Sequence, residues 1–114
     1  MPIYMSIFSL PLPVAESVQE LGNRIRIARL RRGWSVVELA AKAGLSRNTL
    51  AKMERGNPGP SLGDWYSVIW LLGLDKTLTQ VADPELDSHG KALEAARRPR
   101  RAAKPRAASN EYDF

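Results

Sequence analysis

Apolar residues recur every three to four positions through four successive stretches of this chain, and a glycine closes each one: Gly33, Gly44, Gly56 and Gly73. That period belongs to amphipathic helices, and a glycine just past the last periodic residue is a common helix stop. In the first stretch Val18, Leu21, Ile25, Ala28 and the pair Ile27/Leu30 keep the period, while Arg24, Arg26, Arg31 and Arg32 project elsewhere. The spacing predicts a helix from about Val14 or Ser17 to Arg32. Residues 1–13 are apolar, uncharged and broken by prolines, and read as an extended arm. Ser35-Val36-Val37-Glu38 has the form of a capping box, in which hydroxyl and carboxylate satisfy the first free amides of a second helix. Leu39, Ala40 and Ala43 carry that helix to Gly44.

Ser46 is placed to cap a third helix ending at Gly56. Leu50 and Met53 fall on one side of it with Thr49, and Arg47, Asn48, Ala51, Lys52 and Arg55 make one continuous opposite face. Asn57-Pro58-Gly59-Pro60 is a turn that cannot be helical inside. Ser61-x-x-Asp64 then caps a fourth helix with Leu62, Trp65, Val68, Ile69 and Leu72 as its apolar stripe. Beyond Gly73 two readings stand: Asp75 caps one more helical turn, or Thr77–Val81 forms a short strand, since its apolar residues alternate loosely. From Asp83 the composition shifts to Ala, Arg and Pro, which reads as a linker and, from about residue 90, a disordered basic tail. The fold class is all-α, with one domain over residues 14–82 between the arm and the 83–114 tail.

The net charge of +5 is unevenly spread. Residues 24–55 hold nine Lys/Arg against two Glu, residues 56–90 are acidic, and residues 91–114 are basic again. Positive charge gathered on the first three helices and the tail points to a polyanionic partner, because neutralising phosphates releases counterions. There is no cysteine, which excludes a disulfide framework or thiolate metal site and suits a reducing cytoplasm. His89 is the single histidine, so a histidine metal or catalytic cluster is not expected. The apolar run Ile3 to Val14 is interrupted by Ser6, Ser9, Pro11 and Pro13 and reads as neither signal peptide nor membrane span. With no phosphate-cradling Gly loop or nucleophile–base pair, neither enzyme activity nor a cofactor is expected.

Two short helices joined by a Gly-containing turn, the second with a polar outer face, form the layout of a helix-turn-helix, whose second helix enters the DNA major groove. Ala40 is small enough for close helix approach, Gly44 can take a positive φ, and Leu45 and Leu50 can fill the wedge. Arg47 can donate two hydrogen bonds to guanine O6 and N7, and Asn48 can pair with adenine N6 and N7. Lys52 lies one turn further on, and Ala51 is short enough to meet a thymine methyl. Arg55 and Asn57 at the helix exit, with Ser35 and Ser46 at the helix amide ends, suit phosphate oxygens.

Leu21 to Leu74 resembles the Cro/CI-type (XRE-like) helix-turn-helix family at Ala28-Arg29, Gly33, Ser35, Glu38-Leu39-Ala40, Gly44-Leu45-Ser46, Glu54, Gly56 and Pro60-Ser61. The resemblance covers about half of the chain. It implies a compact five-helix domain that binds double-stranded DNA as a homodimer, with Arg29 and Glu54 as an ion pair linking the first and third helices. One position departs: where the family usually carries a glutamine that contacts a phosphate and braces the recognition helix, this chain has Val36.

The context resembles HipB-type antitoxins, which repress their own operon and bind a HipA-type kinase toxin. Gly33-Trp34 at the start of helix two, the Asn57-Pro58 turn and Leu72-Gly73-Leu74-Asp75-Lys76-Thr77-Leu78 carry this likeness. It implies that a strand over Thr77–Val81 pairs across a dimer, and it places the protein in the cytoplasm on the nucleoid. A free-standing phage-type repressor and a protein-binding adaptor on the same fold stay open. Arg97, Arg98, Arg100, Arg101, Lys104 and Arg106 can meet phosphates or an acidic partner, and Tyr112 and Phe114 can anchor in a partner groove. Trp34, Trp65 and Trp70 read as core or dimer-seam residues, and His89 as a solvated linker residue.

Overall fold

A computed structural model describes residues 9–98. It has five α-helices: α1 Leu12–Arg31, α2 Val36–Ala43, α3 Arg47–Glu54, α4 Leu62–Leu71 and α5 Ser88–Arg97. Two 3-10 helices, Asp75–Gln80 and Pro84–Leu86, lie between α4 and α5. The chain divides into two compact units, Met1–Leu78 and Thr79–Phe114.

The first unit contains α1 to α4 around one core. Its buried residues are Ile25 and Ala28 from α1, Leu39 and Ala40 from α2, Leu50 and Met53 from α3, and Trp65, Val68, Ile69 and Leu72 from α4. Each is an apolar position of the helical period, but three residues read into the same stripes, Ile27, Leu30 and Leu62, are exposed. Leu45 and Leu78 pack partly buried against this core.

All four helices of this unit end alike. The amide after the closing glycine reaches back five residues in every case: Trp34 to Arg29, Leu45 to Ala40, Asn57 to Lys52, and Leu74 to Ile69. The glycines at these ends, Gly33, Gly44, Gly56 and Gly73, have φ between 69° and 83°. This is the Schellman closure, which satisfies carbonyls the helix leaves open. The helix starts are equally explicit. Ser35 with Glu38 and Ser61 with Asp64 form complete capping boxes, and Ser46 accepts the Thr49 amide.

Three expectations from sequence are corrected. The first helix begins at Leu12, so the extended arm cannot run to residue 13. Pro13 sits in the first turn, where a missing N–H leaves no bond unmade. Residues 1–8 lie outside the described residues. Thr77–Val81 is not a strand: Asp75–Gln80 is a 3-10 helix, and no strand element occurs among the described residues. Thr77 is drawn into the turn by its amide and hydroxyl, which both donate to the Leu74 carbonyl.

The third correction concerns residues 83–98, which are not a structureless linker. The Asp87 side chain accepts the Gly90 amide at the start of α5, and Lys91 pairs with Glu85 at 2.8 Å. Ala, Leu, Glu, Lys and Arg are good helix formers, although α5 buries no residue. His89 is exposed on this helix. The tail from residue 99, with Arg100, Arg101, Lys104, Arg106, Tyr112 and Phe114, lies outside the described residues.

Candidate nucleic-acid interface

α2 and α3 are joined through Gly44, Leu45 and Ser46, with Gly44 in the left-handed region at φ 70°. α3 is fixed to α1 by a buried ion pair. Arg29 Nε donates to Glu54 Oε2 at 2.7 Å and Nη2 donates to Oε1 at 2.9 Å, with the side chains 9% and 8% exposed. Nη1 donates to the Trp34 carbonyl at 2.9 Å, so one guanidinium ties α3 to the segment that starts α2. The hydrogen bond to Glu54 raises the Arg29 pKa above its ordinary value, burial opposes the rise, and the carboxylate charge adds to it. Arg29 therefore stays charged at any pH that leaves a protein folded.

With Leu50 and Met53 in the core, the opposite face of α3 is turned to solvent. Arg47, Asn48, Lys52 and Arg55 are exposed, and Ala51 is half-buried between them. Arg47, Lys52 and Arg55 make no ion pair among the described residues. The structure thus brings together the four residues read as base-contacting, with Arg55 at the helix exit.

The residues read as phosphate-contacting are more varied. Ser35 is exposed, and its hydroxyl oxygen accepts the Glu38 amide at 3.0 Å, which leaves its proton available. The Ser46 hydroxyl accepts the Thr49 amide and donates to Thr49 Oγ1 at 2.9 Å, so its proton is already used. Asn57 Oδ1 accepts the Gly59 amide at 2.7 Å, tying this half-buried side chain into the turn while its amide nitrogen remains a donor. Val36 is partly buried against the core. The position that lacks the family's glutamine therefore serves packing.

Three positioning residues were not legible from sequence. Arg32 donates to the Ala28 and Leu72 carbonyls, both at 2.7 Å, and so brackets the ends of α1 and α4. Gly22 lies where α1 touches the backbone of Met53 and Glu54, leaving no room for a Cβ. Lys42 Nζ sits 4.9 Å from the centre of the Trp34 ring, a cation–π contact across α2. Of the other tryptophans Trp65 is buried and Trp70 is open to solvent.

A helix-turn-helix domain family model matches residues 20–82, more than half of the chain. This chain belongs to the helix-turn-helix domain family. It is a DNA-binding regulator of that family, and the matched domain contains the α2–α3 arrangement just described. Among curated relatives it is similar to antitoxin HipB of Escherichia coli O6:H1, 31% identical over 60% of this chain and 76% of the relative. The HipB of Escherichia coli strain K12 is 30% identical over 60% of this chain and 81% of its own length. The immunity repressor protein of Bacillus phage phi105 is 43% identical over 47% of this chain and 38% of the repressor. No solved structure matches the chain at a significant level. Among the described residues no helix is long and apolar enough to cross a membrane, and no acidic, His or Cys group could hold a metal.

Proposed function

We propose that this chain is a sequence-specific repressor of the antitoxin type. In this reading it binds a palindromic operator as a homodimer in the cytoplasm, regulates its own operon and holds a HipA-type kinase toxin. The observation that carries the DNA part is the exposed row Arg47, Asn48, Lys52 and Arg55, whose cations lack acidic partners among the described residues, on a helix locked from behind by Arg29 and Glu54. Arg47, Asn48, Ala51 and Lys52 meet base edges, while Ser35, Ser46 through its end of α3, Arg55 and Asn57 meet phosphates. At Ser46 the donors are the helix amides behind the hydroxyl. The antitoxin part is supported by the two HipB relatives, since this chain aligns with 76% and 81% of them. The phage phi105 relative favours a free-standing repressor as the second reading.

Affinity for DNA from upstream of its own gene is expected to fall steeply with salt, with log K dropping by about 0.9 per phosphate for each unit of log salt. Lys52→Ala should lessen that slope by about 1 if Lys52 meets a phosphate, and leave it unchanged if it reads a base. Arg47→Ala should lose roughly 1–3 kcal/mol and relax sequence preference. An equal loss on every sequence would move Arg47 to the phosphate group, and no binding at low salt defeats the repressor reading. Co-purification with a kinase-like protein encoded beside it tests the antitoxin part; its absence leaves the free-standing repressor.

A further inference from the structure

α4 is apolar on two sides. Trp65, Val68 and Ile69 face the core, while the outer arc carries Leu62, Gly63, Tyr66, Ser67 and Trp70 with no charge among them, Tyr66 resting partly on the core. Leu62 is 68% exposed and Trp70 63% exposed. A helix that is apolar all round is normally covered all round, and an open tryptophan is the side chain most enriched at the centres of protein interfaces. The absence of charge argues against DNA as the cover.

We propose that a second copy of this chain covers this arc, with α4 lying antiparallel on its counterpart across a two-fold axis between Tyr66 and Ser67. This deepens the homodimer reading above by naming its seam. With the axis there, Trp70 of one copy falls opposite Gly63 of the other, and Tyr66 opposite Ser67. At the centre a large residue meets a small one, with Leu62 against Leu71 at each edge, and the symmetry repeats the match, which is the self-complementarity an isologous contact needs.

Gly63 supports the pairing independently. A Cβ built there meets only Ser61 Oγ, at 3.7 Å, so nothing in the chain's own fold requires a glycine at this helical position. Glycine is a poor helix former, and the bare backbone it leaves is a seat for an indole ring. Only Leu62 and Trp70 are large and mostly open on this arc, so the seam is small, at the lower edge of specific interfaces. The dimer is therefore expected to be weak in free solution, on the order of micromolar. α3 spans only about 12 Å and reaches one half-site, so the operator itself would favour the paired form.

Sedimentation equilibrium of the full chain without DNA tests the seam. The wild type should pass from monomer to dimer between about 1 and 200 µM. Trp70→Glu should stay monomeric over that range with an unchanged thermal melt, because the ring it removes already faces water. In this cysteine-free chain, Ser67→Cys should be joined to its own copy by a short bis-maleimide, whereas Glu16→Cys on α1 should not. A monomeric wild type, a Trp70→Glu chain that still dimerises, or a Ser67→Cys chain that fails to cross-link overturns the seam. So does a Trp70→Glu chain that remains dimeric but no longer retains a co-expressed partner, which would assign the face to that partner. Operator binding is read separately, so its loss in every variant and in the wild type would sink the repressor reading and leave the seam standing.

Discussion

Arg29→Ala is expected to cost about 3–5 kcal/mol of folding stability, the range for breaking a buried ion pair from one side. Most of that loss comes from what remains behind. Glu54 is left as an almost buried carboxylate whose two oxygens have lost their donors, and the Trp34 carbonyl loses its Arg29 donor as well. In a domain of this size each kcal/mol corresponds to roughly 4–8 °C in Tm, so urea unfolding at reduced temperature is the suitable measurement. Adding Glu54→Leu to an Arg29→Met chain should recover a large part of the loss, because an apolar pair of similar volume removes the stranded charge. A single-mutant loss under about 1 kcal/mol would mean the pair behaves as a solvated surface bridge. In the fraction that stays folded, DNA affinity should drop without a change in salt slope, since no phosphate contact is lost.

The second large effect concerns Gly22. A side chain there is driven into the Met53 carbonyl and the Glu54 backbone, atoms that belong to α3 itself and cannot rotate aside. Gly22→Val should therefore lose about 3 kcal/mol, the upper part of the overpacking range. The gain from replacing a mid-helix glycine, about 1 kcal/mol or less, works in the opposite direction and is outweighed. Gly22→Ala is the sharper comparison: propensity alone predicts a stabilised protein, whereas contact with backbone predicts a destabilised one. Thermal melts of the two variants decide it, and a stabilised Gly22→Ala would show that α1 can retreat from α3 freely.

These two sites also mark what a sequence can and cannot disclose. The caps at Ser35, Ser46 and Ser61 and the stop at Gly44 were legible because their chemistry is complete within six residues. The outer face of α3 was legible for the same reason: periodicity alone puts Arg47, Asn48 and Lys52 opposite Leu50 and Met53. The need for Gly22 was invisible, since it is imposed by backbone thirty residues further on. Arg32 was read as a projecting charge because its acceptor, the Leu72 carbonyl, belongs to another helix. At the ends of the domain the errors came from composition. Pro11 and Pro13 suggested an arm although proline suits a helix's first turn, and the Arg/Pro-rich tail masked α5, which rests on its Asp87 cap and local propensity.

The four glycine-closed helix ends bear on how quickly the protein becomes competent. Each stop is written into the residues beside it, so helix lengths are set before distant segments meet. α2 and α3, which must dock to make the reading head, are separated by one short turn, so little loop entropy opposes their meeting. Topologies of this local kind fold in about microseconds to milliseconds, and stopped-flow refolding slower than about a second would contradict that placement. A newly made chain would thus be ready to search for DNA almost as soon as it is released. The delay before repression would then be set by how fast copies accumulate and pair.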